Sequence, residues 1–353
     1  MVKEYGYEYD AILHKEIFEK SKGKVTYEKF MGGMCLRSGR DALKVVAREF
    51  EPSIVLLPAL ACNSMIISFE MYGHKIKYYR LNKDYSIDLE SLYSLIPAEK
   101  KRILFLYMDY FGNRAIQDSD LDRLRSSYPA LIFIEDRTHN LFVKTSHIFK
   151  CDFTIASLRK WINIPDGGLL WTDKKLKKRD YSEDLTFSEI RLHAQCMRNE
   201  FLQTGEEGIK NEYRRIFSTV TDLIDIEMLP GLMSLYSYKL ATKANLKNIN
   251  EVRCRNAQVL INELRGFKFI QPQSGLGDLY AAILIENRDA VQRMLASMGI
   301  FCTIIWPLND EQRLVCEIAR YTEDHVLAVY CDQRYTIEDM KYIAFCIRRV
   351  CNG

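Results

Sequence analysis

Short, mostly apolar runs alternate with amphipathic stretches over the first half of the chain. Residues 54–58 (Ile-Val-Leu-Leu-Pro), 102–107, 131–134 and 153–156 have the length and composition of strands buried on both faces, and residues 73–79 read as a turn and strand. Helical periods fall between them. Residues 42–50 (Ala-Leu-Lys-Val-Val-Ala-Arg-Glu-Phe) are amphipathic and follow Ser38-Gly39-Arg40-Asp41, a capped helix start. Residues 59–64 begin another helix, 88–92 are a capped one, and 118–127 give a further one. Strands and helices alternating at this spacing predict an α/β fold, a mostly parallel, doubly wound sheet with helices on both faces.

The pattern changes on either side of that block. Residues 1–33 show no clean period and read as an irregular arm across the main domain. Residues 174–226 turn helical and charged, as an excursion that covers one side of the sheet and helps to form a dimer. Pro230-Gly231 punctuates the chain. After it, residues 240–264 predict one long amphipathic helix bridging two domains. Strand-like runs at 279–285 and 301–306, with helices at 289–298 and 337–350, then predict a small α+β domain. The expected division is a large domain over 1–240 and a small one over 241–353.

Composition narrows the function classes. With 353 residues, two packed domains are expected, and 48% hydrophobic with 27% charged residues is a globular balance. Lys plus Arg at 50 against Asp plus Glu at 47 is too even to argue for a nucleic-acid or membrane surface. The basic run at 174–179 reads as a solvated turn and helix start. No apolar run is long enough to span a bilayer and the N-terminus lacks an apolar signal core, so a cytoplasmic protein is expected. Ten cysteines stand singly and six histidines show no ligand spacing, so no metal site is expected.

Residues 131–172 hold the candidate chemistry. One apolar run ends in Glu135-Asp136, and the next leads into Ser157-Leu158-Arg159-Lys160-Trp161, followed by Pro165-Asp166-Gly167-Gly168. Adjacent strands would bring Asp136 and Lys160 to one sheet edge, where α/β proteins hold ligands. A lysine can hold an aldehyde cofactor as a Schiff base, and a carboxylate can keep a pyridine nitrogen protonated. That pairing suits pyridoxal phosphate (PLP). An acid at a strand end also serves as a helix cap, and a lysine beside Arg159 as a solvated charge, so the residues alone leave both readings open.

Glu135-Asp136-Arg137-Thr138-His139, then Ser157-Leu158-Arg159-Lys160, then Asp166-Gly167-Gly168 resemble the cofactor site of the DegT/DnrJ/StrS nucleotide-sugar aminotransferases, PLP enzymes of fold type I. The likeness runs from about residue 32 to the end. It implies that Lys160 is catalytic and carries PLP, that Asp136 pairs with the ring nitrogen, and that His139 lies near the ring oxygen. It further implies that Ser38, Gly39, Arg40 and Ser157 hold the phosphate. Cys62 stands where many relatives carry the aromatic residue that stacks on the ring, and Asp109 where many carry His. Ser237 is the closest match to an Asn that completes a neighbouring subunit's site. The implied partners are a glutamate-like amino donor and a nucleotide-linked keto-sugar, in a homodimer of a polysaccharide-type pathway. A lyase or dehydratase of the same fold, or a non-catalytic regulator on this scaffold, are the alternatives.

Overall fold

The computed structural model describes residues 2–97, 101–142, 151–270 and 279–352. The chain enters through β1 (Tyr5–Gly6), α1 (Lys15–Ser21) and β2 (Lys29–Phe30). Then come β3 (Gly33–Leu36), α2 (Gly39–Ala47), β4 (Ile54–Pro58), α3 (Asn63–Glu70), β5 (Lys75–Tyr79), α4 (Leu89–Leu95) and β6 (Ile103–Met108). They lead to α5 (Asp118–Ser127), β7 (Leu131–Asp136), β8 (Phe153–Ala156) and β9 (Gly168–Trp171). Four helices follow: α6 (Thr186–Thr204), α7 (Glu207–Ile226), α8 (Leu235–Lys243) and α9 (Leu246–Glu263). The last part holds β10 (Lys268–Phe269), β11 (Tyr280–Leu284), α10 (Arg288–Ser297), β12 (Ile300–Phe301), β13 (Thr303–Ile304), α11 (Asp310–Val315), α12 (Glu317–His325), β14 (Val326–Tyr330) and α13 (Ile337–Asn352).

Eight strands form the main sheet in the order β2-β3-β9-β8-β7-β6-β4-β5. From β8 to β5 every pairing is parallel, while β9, β3 and β2 continue the sheet as an antiparallel edge. The unbroken apolar runs of β4 and β6 are explained by burial on both faces: Val55, Leu56, Leu57, Leu104, Phe105 and Leu106 are all fully buried. The second sheet, β10-β11-β14-β13, is antiparallel. With α9, α10 and α13 it shares a separate core that includes Leu260, Leu295, Met340 and Ile347. The α/β fold with a large sheet and a small α+β unit is thus as the sequence predicts.

Four elements differ from the prediction. The N-terminal arm is not wholly irregular, because β1 pairs in parallel with β12, Tyr5 opposite Ile300 and Gly6 opposite Phe301. Gly6 has φ +85, and a Cβ there would lie 1.9 Å from the Phe301 carbonyl oxygen, so the contact requires glycine. The arm straps the small sheet's side of the molecule to α6 and α7, through buried Glu4 beside Arg198 at 3.7 Å and the Tyr213 hydroxyl at 3.0 Å. The helix predicted over 240–264 is two helices. Asn245 breaks it by capping α9, its side chain accepting the Asn248 amide at 3.0 Å. The strand predicted over 301–306 splits into β12 and β13, which pair with different sheets. The basic run at 174–179 carries no regular secondary structure, and the helix starts only at Thr186.

Candidate active site

β7 and β8 end side by side, with Asp136 opposite Ile155 in the register. The chain leaves β8 through Ser157 directly into a 3₁₀ turn, Leu158–Lys160. Asp136, Ser157 and Lys160 therefore emerge at the carboxyl edge of neighbouring parallel strands, the ligand-binding edge of such sheets. β9 closes the third side. A Cβ on Gly168 would lie 2.2 Å from the Ser38 carbonyl, so glycine lets the β3–α2 turn press onto the sheet. Ser38 caps α2: its hydroxyl oxygen accepts the Asp41 amide at 3.1 Å and its hydroxyl donates to Asp41 Oδ2 at 2.5 Å. The Gly39 and Arg40 amides that follow are the helix's first and have no intrahelical acceptor. A Cβ on Gly39 would meet the Ser157 Cβ at 3.3 Å, which places this helix end against the end of β8.

A cavity of about 140 Å³ lies between these elements, lined by Ser38, Gly39, Arg40, Cys62, Asp136, Ser157 and Lys160 together with Ser64, Thr138 and Arg159. Thr138 organises one wall. Its amide donates to Asp136 Oδ1 at 2.8 Å, its hydroxyl oxygen accepts the Ser157 amide at 3.0 Å, and its carbonyl accepts the Trp161 indole N–H at 2.7 Å. Burial pushes the Asp136 carboxyl above its ordinary range, opposed by Thr138 and by the positive charge of Lys160. Burial pushes the Lys160 amine the other way, towards its neutral form; nearby Cys62 and Asp136 oppose this, while Arg159 and Arg40 add to it. A lysine biased towards the free amine is a nucleophile and a base. Arg40 also pairs with Asp225 of α7 at 2.9 Å. Arg159 Nε is buried with no hydrogen-bond partner among the described residues, and its Nη1 stands 3.8 Å from Glu8 of the arm. Burial and the neighbouring Arg191 lower the Arg159 guanidinium to about 10, Glu8 opposing.

Seven of the eight predicted site residues thus share one cavity wall, and His139 does not. It sits behind the wall, ringed by Phe111, Trp306, Tyr280 and Tyr110 with centroids 5.5 to 6.2 Å away. Its Nδ1 accepts the Phe111 amide at 3.3 Å, and its buried Nε2 has no partner among the described residues. Burial and the Lys160 charge lower it to about 3, so the ring is neutral at physiological pH. Cys62 occupies the cap position of α3 with its sulfur 3.3 Å from Ser64 Oγ. Asp109 serves the local fold, accepting the Ala115 amide at 2.9 Å and the Asn140 side chain at 2.7 Å. Tyr107 is buried against Cys151, 2.8 Å away, and is a core residue, whereas Trp306 donates to the Leu60 carbonyl at 3.1 Å beside the His139 ring. Ser237 is fully buried, and its hydroxyl is committed to Asp166 of its own chain. Thr138 and Arg159 were not among the predicted site residues. Both lie within the two motifs, and their polarity at positions leading out of buried strands is the signal that marks them.

The sequence matches no family model and no curated protein. Solved structures do match. Helicobacter pylori PseC, an aminotransferase involved in the biosynthesis of pseudoaminic acid, superposes with a TM-score of 0.68 at 13% identity over 99% of this chain and 100% of that one. Streptococcus pneumoniae Spr1654 in its PMP form gives 0.68 at 13% identity over 99% and 98% of the two chains. DesI, solved in the presence of its TDP-sugar product, gives 0.64 at 13% identity over 96% and 84%. Identities this low speak for architecture, and over nearly its whole length the chain has the fold of these aminotransferases.

Proposed function

We propose that the chain is a PLP-dependent aminotransferase that moves an amino group from a glutamate-like amino acid to a keto acceptor, a nucleotide-linked keto-sugar. The observation that carries this reading is the convergence of Lys160, Asp136 and the free start of α2 on one cavity. Three features fit the cofactor. The glycine at 39 leaves a cradle that a side chain would crowd against Ser157. A buried amine biased to its neutral form faces a buried carboxylate, and among the described residues it is the cation that acts on that carboxylate. Buried donors, Arg159 Nε among them, stand without hydrogen-bond partners among the described residues. PLP, when bound, supplies an aldehyde that takes up amines and a ring that accepts electrons.

The chain's residues then have distinct tasks. Lys160 Nζ would hold the aldehyde and, once an amino donor had released it, would carry a proton from the donor carbon to the former aldehyde carbon. Asp136 holds a proton on the ring nitrogen through its charge, and Thr138 fixes that carboxylate in place. Gly39, Arg40 and Ser157 bind the phosphate at the positive end of α2. The sugar acceptor is supported by the fold shared with PseC and DesI and by the motifs of residues 135–168. We place the protein in the cytoplasm as a homodimer; no described helix is long and apolar enough to cross a membrane. If a neighbouring subunit completes the site, Ser237 is not the residue that does it.

The test is a single half-reaction. PLP-loaded protein mixed with L-glutamate should release 2-oxoglutarate in proportion to subunits, and Lys160→Ala should release none. Loss of carbon dioxide or water from the donor, with no oxo acid formed, would favour a lyase instead.

A further inference from the structure

We propose that Arg159 is a cofactor-binding residue that supplies the principal positive charge on the phosphate of PLP. This rests on the cofactor reading above and adds to it a residue that no motif assigns. The two cations next to the start of α2 are differently committed. Arg40 is closely charge-paired, its Nε 2.9 Å from the Asp225 carboxylate although not aligned for a hydrogen bond. Arg159 is paired more loosely. Its nearest acid, Glu8, stands 3.8 Å away, beyond hydrogen-bond distance, and Glu8 is itself gripped by Arg191 at 2.6 Å. Arg159 Nε is buried with no partner among the described residues, and its side chain is only 14% exposed. A buried guanidinium nitrogen without an acceptor is costly unless a ligand provides one.

The same cavity wall presents the free amides of Gly39 and Arg40 and the Ser157 side chain. Those are neutral donors, and a phosphate monoester carries nearly two negative charges at neutral pH. Arg159 sits in the turn that also presents Lys160, so its fork is fixed relative to the amine that binds the aldehyde. One short segment would set both ends of the cofactor.

The experiment compares PLP with pyridoxal, which has the same aldehyde and ring but no phosphate. Apoprotein is titrated with each by absorbance. Arg159→Gln should weaken PLP by on the order of tenfold to a hundredfold, as loss of a charged hydrogen-bond donor does. Pyridoxal affinity should stay within about twofold. Arg159→Lys, which keeps the charge and alters the fork, should lie between wild type and Gln for PLP and match both for pyridoxal. Inorganic phosphate should compete with PLP in the wild type and less well in Arg159→Gln. Equal weakening of PLP and pyridoxal, or unchanged PLP affinity with weaker glutamate binding, overturns the proposal. Wild-type protein that binds neither aldehyde would instead overturn the cofactor reading itself.

Discussion

Asp136 and Asp166 are both buried aspartates in the same 42-residue stretch, 131–172, and burial pushes both carboxyls upward. Their surroundings differ. Asp166 is saturated: Oδ2 accepts the Ser234 amide at 2.7 Å, and Oδ1 accepts the Ser234 hydroxyl at 2.6 Å and the Ser237 hydroxyl. It fastens the Pro165–Gly168 turn to the start of α8. Asp136 is anchored on one side, by Thr138, and otherwise faces the cavity and the Lys160 charge. Burial alone therefore does not mark a functional acid. What marks it is whether the protein has already filled the carboxylate's acceptor sites.

That contrast can be broken by paired substitutions. Asp136→Asn should slow the glutamate half-reaction by on the order of a hundredfold to a thousandfold. Its unfolding free energy should change by less than about 1 kcal/mol, because little protein structure hangs on the free side of that carboxylate. Asp166→Asn should do the reverse. It leaves several buried donors poorly met and should cost about 3 kcal/mol in urea unfolding, while the folded fraction still binds cofactor. Matching losses of activity and stability at both positions would erase the distinction.

The arm's Glu8 sharpens the comparison as a third acid. Burial raises its carboxyl, but Arg191 and Arg159 outweigh burial and, with Arg334, hold it down at about 2 against an ordinary 4.5. Its contribution to folding is therefore fully present above pH 4.5 and is lost as pH falls towards 2. The side chain is 28% exposed, so solvent screening reduces the effect to about 1–2 kcal/mol. Glu8→Gln should flatten the acid limb of the stability profile by that amount, read by urea unfolding across this range. The smallest effect is expected at Ser237→Ala, about 1 kcal/mol, because Asp166 keeps its two contacts from Ser234.

The site was legible where its residues stand close in sequence. Asp136, Ser157 and Lys160 end apolar runs, and a parallel pairing of β7 with β8 brings such ends together without knowledge of anything else. The capped start at Ser38 is likewise a local signal. The arm was illegible because its order is borrowed: Tyr5 and Gly6 become a strand only by pairing with Ile300 and Phe301 at the far end of the chain. Arg159 was hidden for a similar reason. A charge next to a lysine reads as solvated, and only the packing of the arm and α6 around the turn buries it. The break at Asn245 was readable, since an Asn directly before apolar Leu246 is a cap signal, but the continuous apolar period across it masked the boundary.

The most direct measurement traps the cofactor on the protein. Apoprotein is incubated with PLP, reduced with borohydride, digested and mapped by mass spectrometry. The phosphopyridoxyl mass should appear stoichiometrically on the peptide containing Lys160 and vanish in Lys160→Ala. A label spread over other lysines, or retained undiminished when Lys160 is removed, would contradict the assignment of that amine.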